Sequence, residues 1–86
     1  MELSELRKQI DEIDKNIVKL VNERYSIVLQ VGAYKKAQGL PIRVPEREEA
    51  VLQRVCAMNE GPVKDETLRK LYRLLMDSAC ELEEEV

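Results

Sequence analysis

Apolar residues recur along residues 3–36 with the period of a helix. In heptads numbered from Leu3, the first positions are Leu3, Ile10, Ile17, Arg24 and Val31, and the fourth positions are Leu6, Ile13, Leu20, Ile27 and Tyr34. Nine of these ten are apolar or aromatic, which marks one continuous helical seam with a single cation, Arg24, inside it. No proline interrupts the run, and Gly32 is the only weak helix former near its end. At ~1.5 Å per residue such a helix is roughly 50 Å long. A compact chain of this size has a radius of gyration of only about 12 Å. The helix is too long to be wrapped by the rest of its own chain, so the seam is expected to bury against a second copy in a homodimer.

The remainder reads as two shorter helices. Ser4 is the expected N-cap of the first helix, although Arg7 rather than an acid stands at the capping-box position. Gly39-Leu40-Pro41 stops it, and residues 39–44 form a short connector. Pro45 suits the first position of a second helix, with Glu46 favourable against the dipole and Val44 a poor N-cap. That helix runs to about Met58, with Val51, Leu52, Val55 and Cys56 as its apolar face. Asn59-Glu60-Gly61-Pro62 breaks the chain. Asp65 is expected to cap a third helix to about Glu84, with the stripe Leu68, Leu71, Tyr72, Leu75, Met76, Ala79 and Leu82, and with a fraying end at Glu83-Glu84-Glu85. No strand alternation is visible. The expected fold is all-α, three helices with a very long first one, as a single domain over residues 1–86 in an intertwined homodimer.

Composition narrows the function. Charged residues are 36% and aromatics 3%, which suits helices with solvated faces. The net charge of −3 gives no whole-chain case for nucleic acid or an anionic membrane. The charge is uneven, with nine Lys/Arg against seven Asp/Glu in residues 1–47, so local positive potential exists in the first half. Cys56 and Cys80 lack metal-ligand spacing and there is no histidine, so free thiols in a reducing compartment and no metal are expected. No apolar run approaches the ~20 residues of a membrane span, and the start MELSELRKQ does not read as a signal peptide. A soluble, cytoplasmic protein is the expectation.

Several polar residues break the pattern. Arg24 on an apolar seam is costly unless paired. It either meets Glu23 or Asp14 of a second copy, snorkels outward, or meets a bound anion. Lys35 lies eleven residues on, three turns plus ~20°, about 16 Å along the axis. Two long side chains leaning together would leave room for a small ligand between them. Arg7 shares the heptad position of Lys35 but lies about 42 Å away along one helix. It is either a solvated surface residue or a contribution from an antiparallel partner. Arg47 and Glu48 open the second helix, as an ordinary salt bridge or with Glu48, three residues from Val51 and four from Leu52, bordering the buried face. Glu83 prolongs the stripe of Tyr72, Met76 and Ala79, either as a surface acid or as a carboxyl facing a pocket, its pKa then set by burial and nearby cations. There is no nucleophile–base pair and no glycine-rich phosphate loop. Any catalysis would rest on positioning and electrostatics applied to an anionic substrate.

The segments LRKQIDEIDKNIVKLVNERYSIVLQVGAYK, GLPIRVPEREEAVLQRV and LYRLLMDSACELE resemble the all-helical class of chorismate mutases over nearly the whole chain. The carrying motifs are L-R-x-x-I-D-x-I-D, E-R, V-x-x-x-K, P-x-R-E and a terminal L-E, in that order. The resemblance implies an intertwined homodimer that converts chorismate to prephenate by a one-step Claisen rearrangement without cofactor or covalent intermediate. It implies that Arg7 is donated by the neighbouring subunit to a substrate carboxylate and that Arg24 binds a carboxylate within the chain. Lys35 would contact a carboxylate and the ether oxygen, Arg47 would support the charge network, and Glu48 would bind the ring hydroxyl. Val44 stands where many members have Asp, leaving a backbone N–H for the hydroxyl. Ala79 stands where some have Ser, and Ser78 points about 100° away. Glu83 stands where members have Gln or Glu, and must be protonated to donate to the ether oxygen. Lys35, Glu83 and Arg24 are thus the expected catalytic residues, with Arg7, Val44, Arg47, Glu48 and Ala79 completing the substrate site. Relatives are often fused to, or dock with, another enzyme of the same pathway. An isochorismate–pyruvate lyase, or a non-catalytic helical dimerisation or regulatory module, are the alternatives.

Overall fold

The computed structural model describes residues 2–86, which form three helices and no strand: α1 Leu3–Gln38, α2 Pro45–Met58 and α3 Asp65–Glu85. α1 ends because Gly39 takes the left-handed conformation at φ 68. The N–H groups of Gly39 and Leu40 then close on the carbonyls of Lys36 and Lys35.

Two helix starts differ from expectation. Ser4 is not a cap: Glu2 holds the extended backbone and its carbonyl accepts the Leu6 N–H at 3.2 Å, so Ser4 already lies in the first turn. At α3 the cap position is Lys64, whose carbonyl accepts the Leu68 N–H at 3.0 Å. Asp65 is the first helical residue, and its carboxylate accepts the Asn59 side-chain amide at 2.7 Å. In both cases a backbone carbonyl starts the helix without a side-chain cap, and an acid in the first turn still favours the dipole. Val44 does precede α2, with Pro45 at its first position.

α3 is the middle element, with α1 and α2 both packed on it and not on each other. The core joins Val51, Leu52 and Val55 to Met76, flanked by Leu68 and Tyr72. Leu71, expected on the inner stripe, is 51% exposed. It lies about 140° around the helix from Met76, on the side that faces neither neighbour. Glu83, expected at a fraying end, is instead 4% exposed.

α1 meets α3 where the Tyr25 hydroxyl donates to the Leu75 carbonyl at 3.4 Å and Gly32 lies against Glu83, on a stripe of buried or half-buried residues that also holds Val21 and Val28. This stripe is rotated from the apolar seam. The nine seam residues remain between 38% (Leu6) and 63% (Tyr34) exposed, and every residue from Glu2 to Leu20 is exposed. The molecule extends over 55 × 24 × 16 Å with a radius of gyration of 15.9 Å, well above the ~12 Å of a compact chain. The length of α1 does leave its first half unwrapped. No helix among the described residues is long and apolar enough to cross a membrane.

Candidate active site

Where the last turns of α1, the connector, the start of α2 and the end of α3 converge, they leave a pocket of about 320 Å³. Seven of the eight expected site residues line it. α1 supplies Arg24 and Lys35, the connector Val44, α2 Arg47 and Glu48, and α3 Ala79 and Glu83. The eighth, Arg7, does not reach it: it is exposed on the free half of α1, about 42 Å from Lys35 along the axis.

Helical spacing explains the convergence. Arg24 and Lys35 are eleven residues apart and therefore nearly in line. The Arg24 guanidinium carbon lies 5.7 Å from the centre of the Tyr72 ring, which orients the cation without neutralising it. It forms no salt bridge among the described residues. The Lys35 ammonium donates to the Ile42 carbonyl at 2.7 Å, leaving two further N–H donors. Arg47 does not pair with Glu48. Glu48 accepts from Arg43 at 2.9 and 3.0 Å and from Arg73 at 2.6 Å.

Three participants were not singled out in the sequence. Arg54 lines the pocket. Its signal was available, because Arg47, Val51 and Arg54 follow the i, i+4, i+7 spacing of one helix face. Arg43 and Arg73 hold Glu48 from the connector and from α3. Arg73 and Asp77, four apart on α3, were legible as a pair. Arg43 lies outside any helix, and no periodicity marks it.

The electrostatics favour an anionic ligand. Arg24, Lys35, Arg47 and Arg54 bring four cations to the wall, while Glu48 is neutralised by its arginines. Burial pushes the Glu83 carboxyl above its ordinary range, against the opposing influence of Lys35. Burial likewise raises the Cys80 thiol above its ordinary value. Among the described residues no three His, Cys, Asp or Glu side chains are placed to hold a metal.

Gly32 makes the burial of Glu83 geometrically feasible. A Cβ at position 32 would lie 2.9 Å from Cγ, 3.0 Å from Oε2 and 3.3 Å from Cβ of Glu83. Oε2 has no hydrogen-bond partner. Gly32→Ala gains about 1 kcal/mol of helix propensity but meets an overpacking cost of about 1–3 kcal/mol. The expected result is a net loss of stability in Gly32→Ala that shrinks when Glu83→Ala removes the two closest contacts, Cγ and Oε2. Thermal melts of the two single variants and the double variant check this.

The fold and site define an all-helical protein with a cation-rich pocket that also holds one buried carboxyl, Glu83. A sequence model described as chorismate mutase type II matches residues 6–84, and the chain belongs to that family. The chorismate mutase of Methanocaldococcus jannaschii is 38% identical over 76 residues, covering 87% of this chain and 77% of that protein. The bifunctional chorismate mutase/prephenate dehydratase of Aquifex aeolicus is 37% identical over 99% of this chain, which spans only 25% of that protein's length. A solved structure of chorismate mutase (form II) from Thermus thermophilus superposes with a TM-score of 0.93 at 38% identity, covering 95% of this chain and 93% of that one.

Proposed function

We propose that this chain is one chorismate mutase domain of aromatic amino-acid biosynthesis, acting in the cytoplasm as a homodimer. The observation that carries the reading is the convergence of Arg24, Lys35, Arg47, Glu48 and Glu83 from three helices on one pocket. In the reaction the C–O bond of the enolpyruvyl ether breaks while a C–C bond forms between side chain and ring, and the ether oxygen becomes a carbonyl. No proton is gained or lost, so no nucleophile or cofactor is required. Arg24 and Lys35 clamp the two carboxylates and hold the compact conformer in which the bonding carbons meet. Lys35 and protonated Glu83 donate to the ether oxygen as negative charge grows there. Glu48 accepts from the ring hydroxyl, with the Val44 backbone beside it and Arg47 supporting the charge network. Ala79 contributes wall surface only. An acceleration of ~10⁶-fold asks for about 8 kcal/mol from these interactions together.

The second copy completes both fold and site. The exposed seam matches a coiled-coil surface, and an antiparallel partner would bring its own Arg7 to this pocket. Arg7→Ala and Lys35→Ala are each expected to be nearly inactive. In refolded mixtures, half of a dimer population is hybrid with one intact site, which restores about a quarter of the parent activity. Mixtures as inactive as their components would rule out donation across the interface. Incubation with chorismate, following the loss of its ultraviolet absorbance and identifying the product, tests the activity itself. Prephenate formed at a saturating rate supports the reading. Turnover of isochorismate to pyruvate instead would assign a lyase, and neither reaction a non-catalytic module. Fusion to, or docking with, another enzyme of the pathway fits the bifunctional architecture of the Aquifex relative.

A further inference from the structure

Glu48 is 8% exposed and sits in a closed ring of charges whose other members have no place in the mechanism above. Arg43 donates through Nη1 to Glu48 Oε1 at 2.9 Å and Oε2 at 3.0 Å, and Arg73 donates through Nη1 to Oε1 at 2.6 Å. The second nitrogen of Arg43, Nη2, donates to Asp77 Oδ1 at 3.1 Å, and Arg73 Nη1 stands 3.6 Å from the same oxygen. Two cations and two anions thereby tie the connector, α2 and α3 together. Ile42, next in the chain to Arg43, accepts the Lys35 ammonium. Consecutive connector residues therefore orient two pocket groups, one with a carbonyl and one with a guanidinium.

The arrangement selects one acceptor atom. A carboxylate offers about four lone-pair directions. Both directions on Oε1 are taken by Arg43 and Arg73, and one on Oε2 by Arg43. The remaining direction on Oε2 meets only the Cys80 thiol, a weak donor at 3.9 Å. We propose that Arg43 is a positioning residue for the rearrangement, acting through Glu48. Its Nη1 holds both oxygens of the carboxylate while Nη2 is anchored on Asp77, so that Oε2 presents its free direction to the substrate's ring hydroxyl. The proposal rests on the chorismate mutase reading. Because Arg43 bridges Glu48 and Asp77 with different nitrogens, a lysine cannot replace it, whereas Arg73 approaches both through the same nitrogen.

The test measures kcat and KM for Arg43→Gln, Arg43→Lys and Arg73→Lys, on chorismate and on chorismate methylated at the ring hydroxyl, which cannot donate. On chorismate, Arg43→Gln and Arg43→Lys should each lose about 10- to 100-fold in kcat/KM, the size of a charge-assisted hydrogen bond, and Arg73→Lys should lose less. On the methyl ether the Arg43 variants should fall close to the parent. Equal losses on both substrates, or full rescue by Arg43→Lys, would overturn the proposal. Melting temperatures of Arg43→Gln, Glu48→Gln and the double variant provide a readout independent of turnover. Non-additive shifts support the clamp and additive shifts overturn it. A parent chain that melts as expected but leaves chorismate unchanged would instead remove the functional reading on which the proposal stands.

Discussion

Arg24→Ala is expected to lower kcat/KM for chorismate by about 10²–10³-fold, the usual effect of removing one preorganised donor to developing or bound negative charge in a water-poor site. The fold should survive the change. Arg24 is half-buried against Tyr72 and is engaged in no salt bridge among the described residues, so its removal forfeits one cation–π contact worth about 0.5–1 kcal/mol. Stability and activity are thus predicted to separate at this position. A helical module without catalysis would show the retained stability alone, because deleting a cation from an apolar seam leaves it equally stable or more so and there is no turnover to lose. Arg24→Lys should recover only part of the loss, since an ammonium cannot meet a carboxylate with two parallel N–H donors. Steady-state kinetics together with melting curves decide between the two outcomes. Melting temperatures near the parent's, with activity collapsed, are the signature of a cation reserved for the substrate.

The second large effect concerns pH. Burial raises the Glu83 carboxyl above its ordinary value, and Lys35 only partly opposes this. A dianionic ligand brought beside it raises the carboxyl further. Since only the protonated form can donate to the ether oxygen, kcat is expected to fall as pH rises through that elevated value. Glu83→Gln keeps a permanent N–H donor and should flatten the profile, with activity retained at the alkaline end where the parent has lost it. A parent profile that is level from acid to neutral pH would exclude the role.

Stability is linked to the same proton with a definite sign. A carboxyl whose folded-state pKa is raised favours folding fully below its unfolded value, and that contribution is lost as pH rises through the folded value. Melting temperatures of the parent should therefore decline across this window, while those of Glu83→Gln should decline less. If both proteins decline alike, the buried carboxyl is not responsible.

Much of this was legible along the chain. The seam from Leu3 to Tyr34, the stop at Gly39 and the breaker at Asn59–Pro62 placed three helices within a residue or two of where they lie. The misassigned caps at Ser4 and Asp65 came from trusting side-chain chemistry where a backbone carbonyl starts the helix. The pocket residues were recovered because helical spacing puts Arg24 in line with Lys35 and Glu83 in line with Met76 and Ala79, and because the family resemblance named their roles. Arg54 escaped although its spacing to Arg47 was readable. Arg43 escaped because a connector has no period from which a facing direction can be read.

The sequence by itself determined the secondary structure and the excess length of α1, since both follow from local periodicity, breakers and a fixed rise per residue. Which stripe of α1 meets α3 was decided only in three dimensions: Val21, Tyr25, Val28 and Gly32 turn inward and leave the apolar seam exposed. The contact of Glu83 with Gly32 and the ring joining Arg43, Glu48, Arg73 and Asp77 were decided there as well. These depend on how far each helix is rotated and how closely two backbones approach, and that balance is struck by the packing of the whole fold rather than by any local stretch of it.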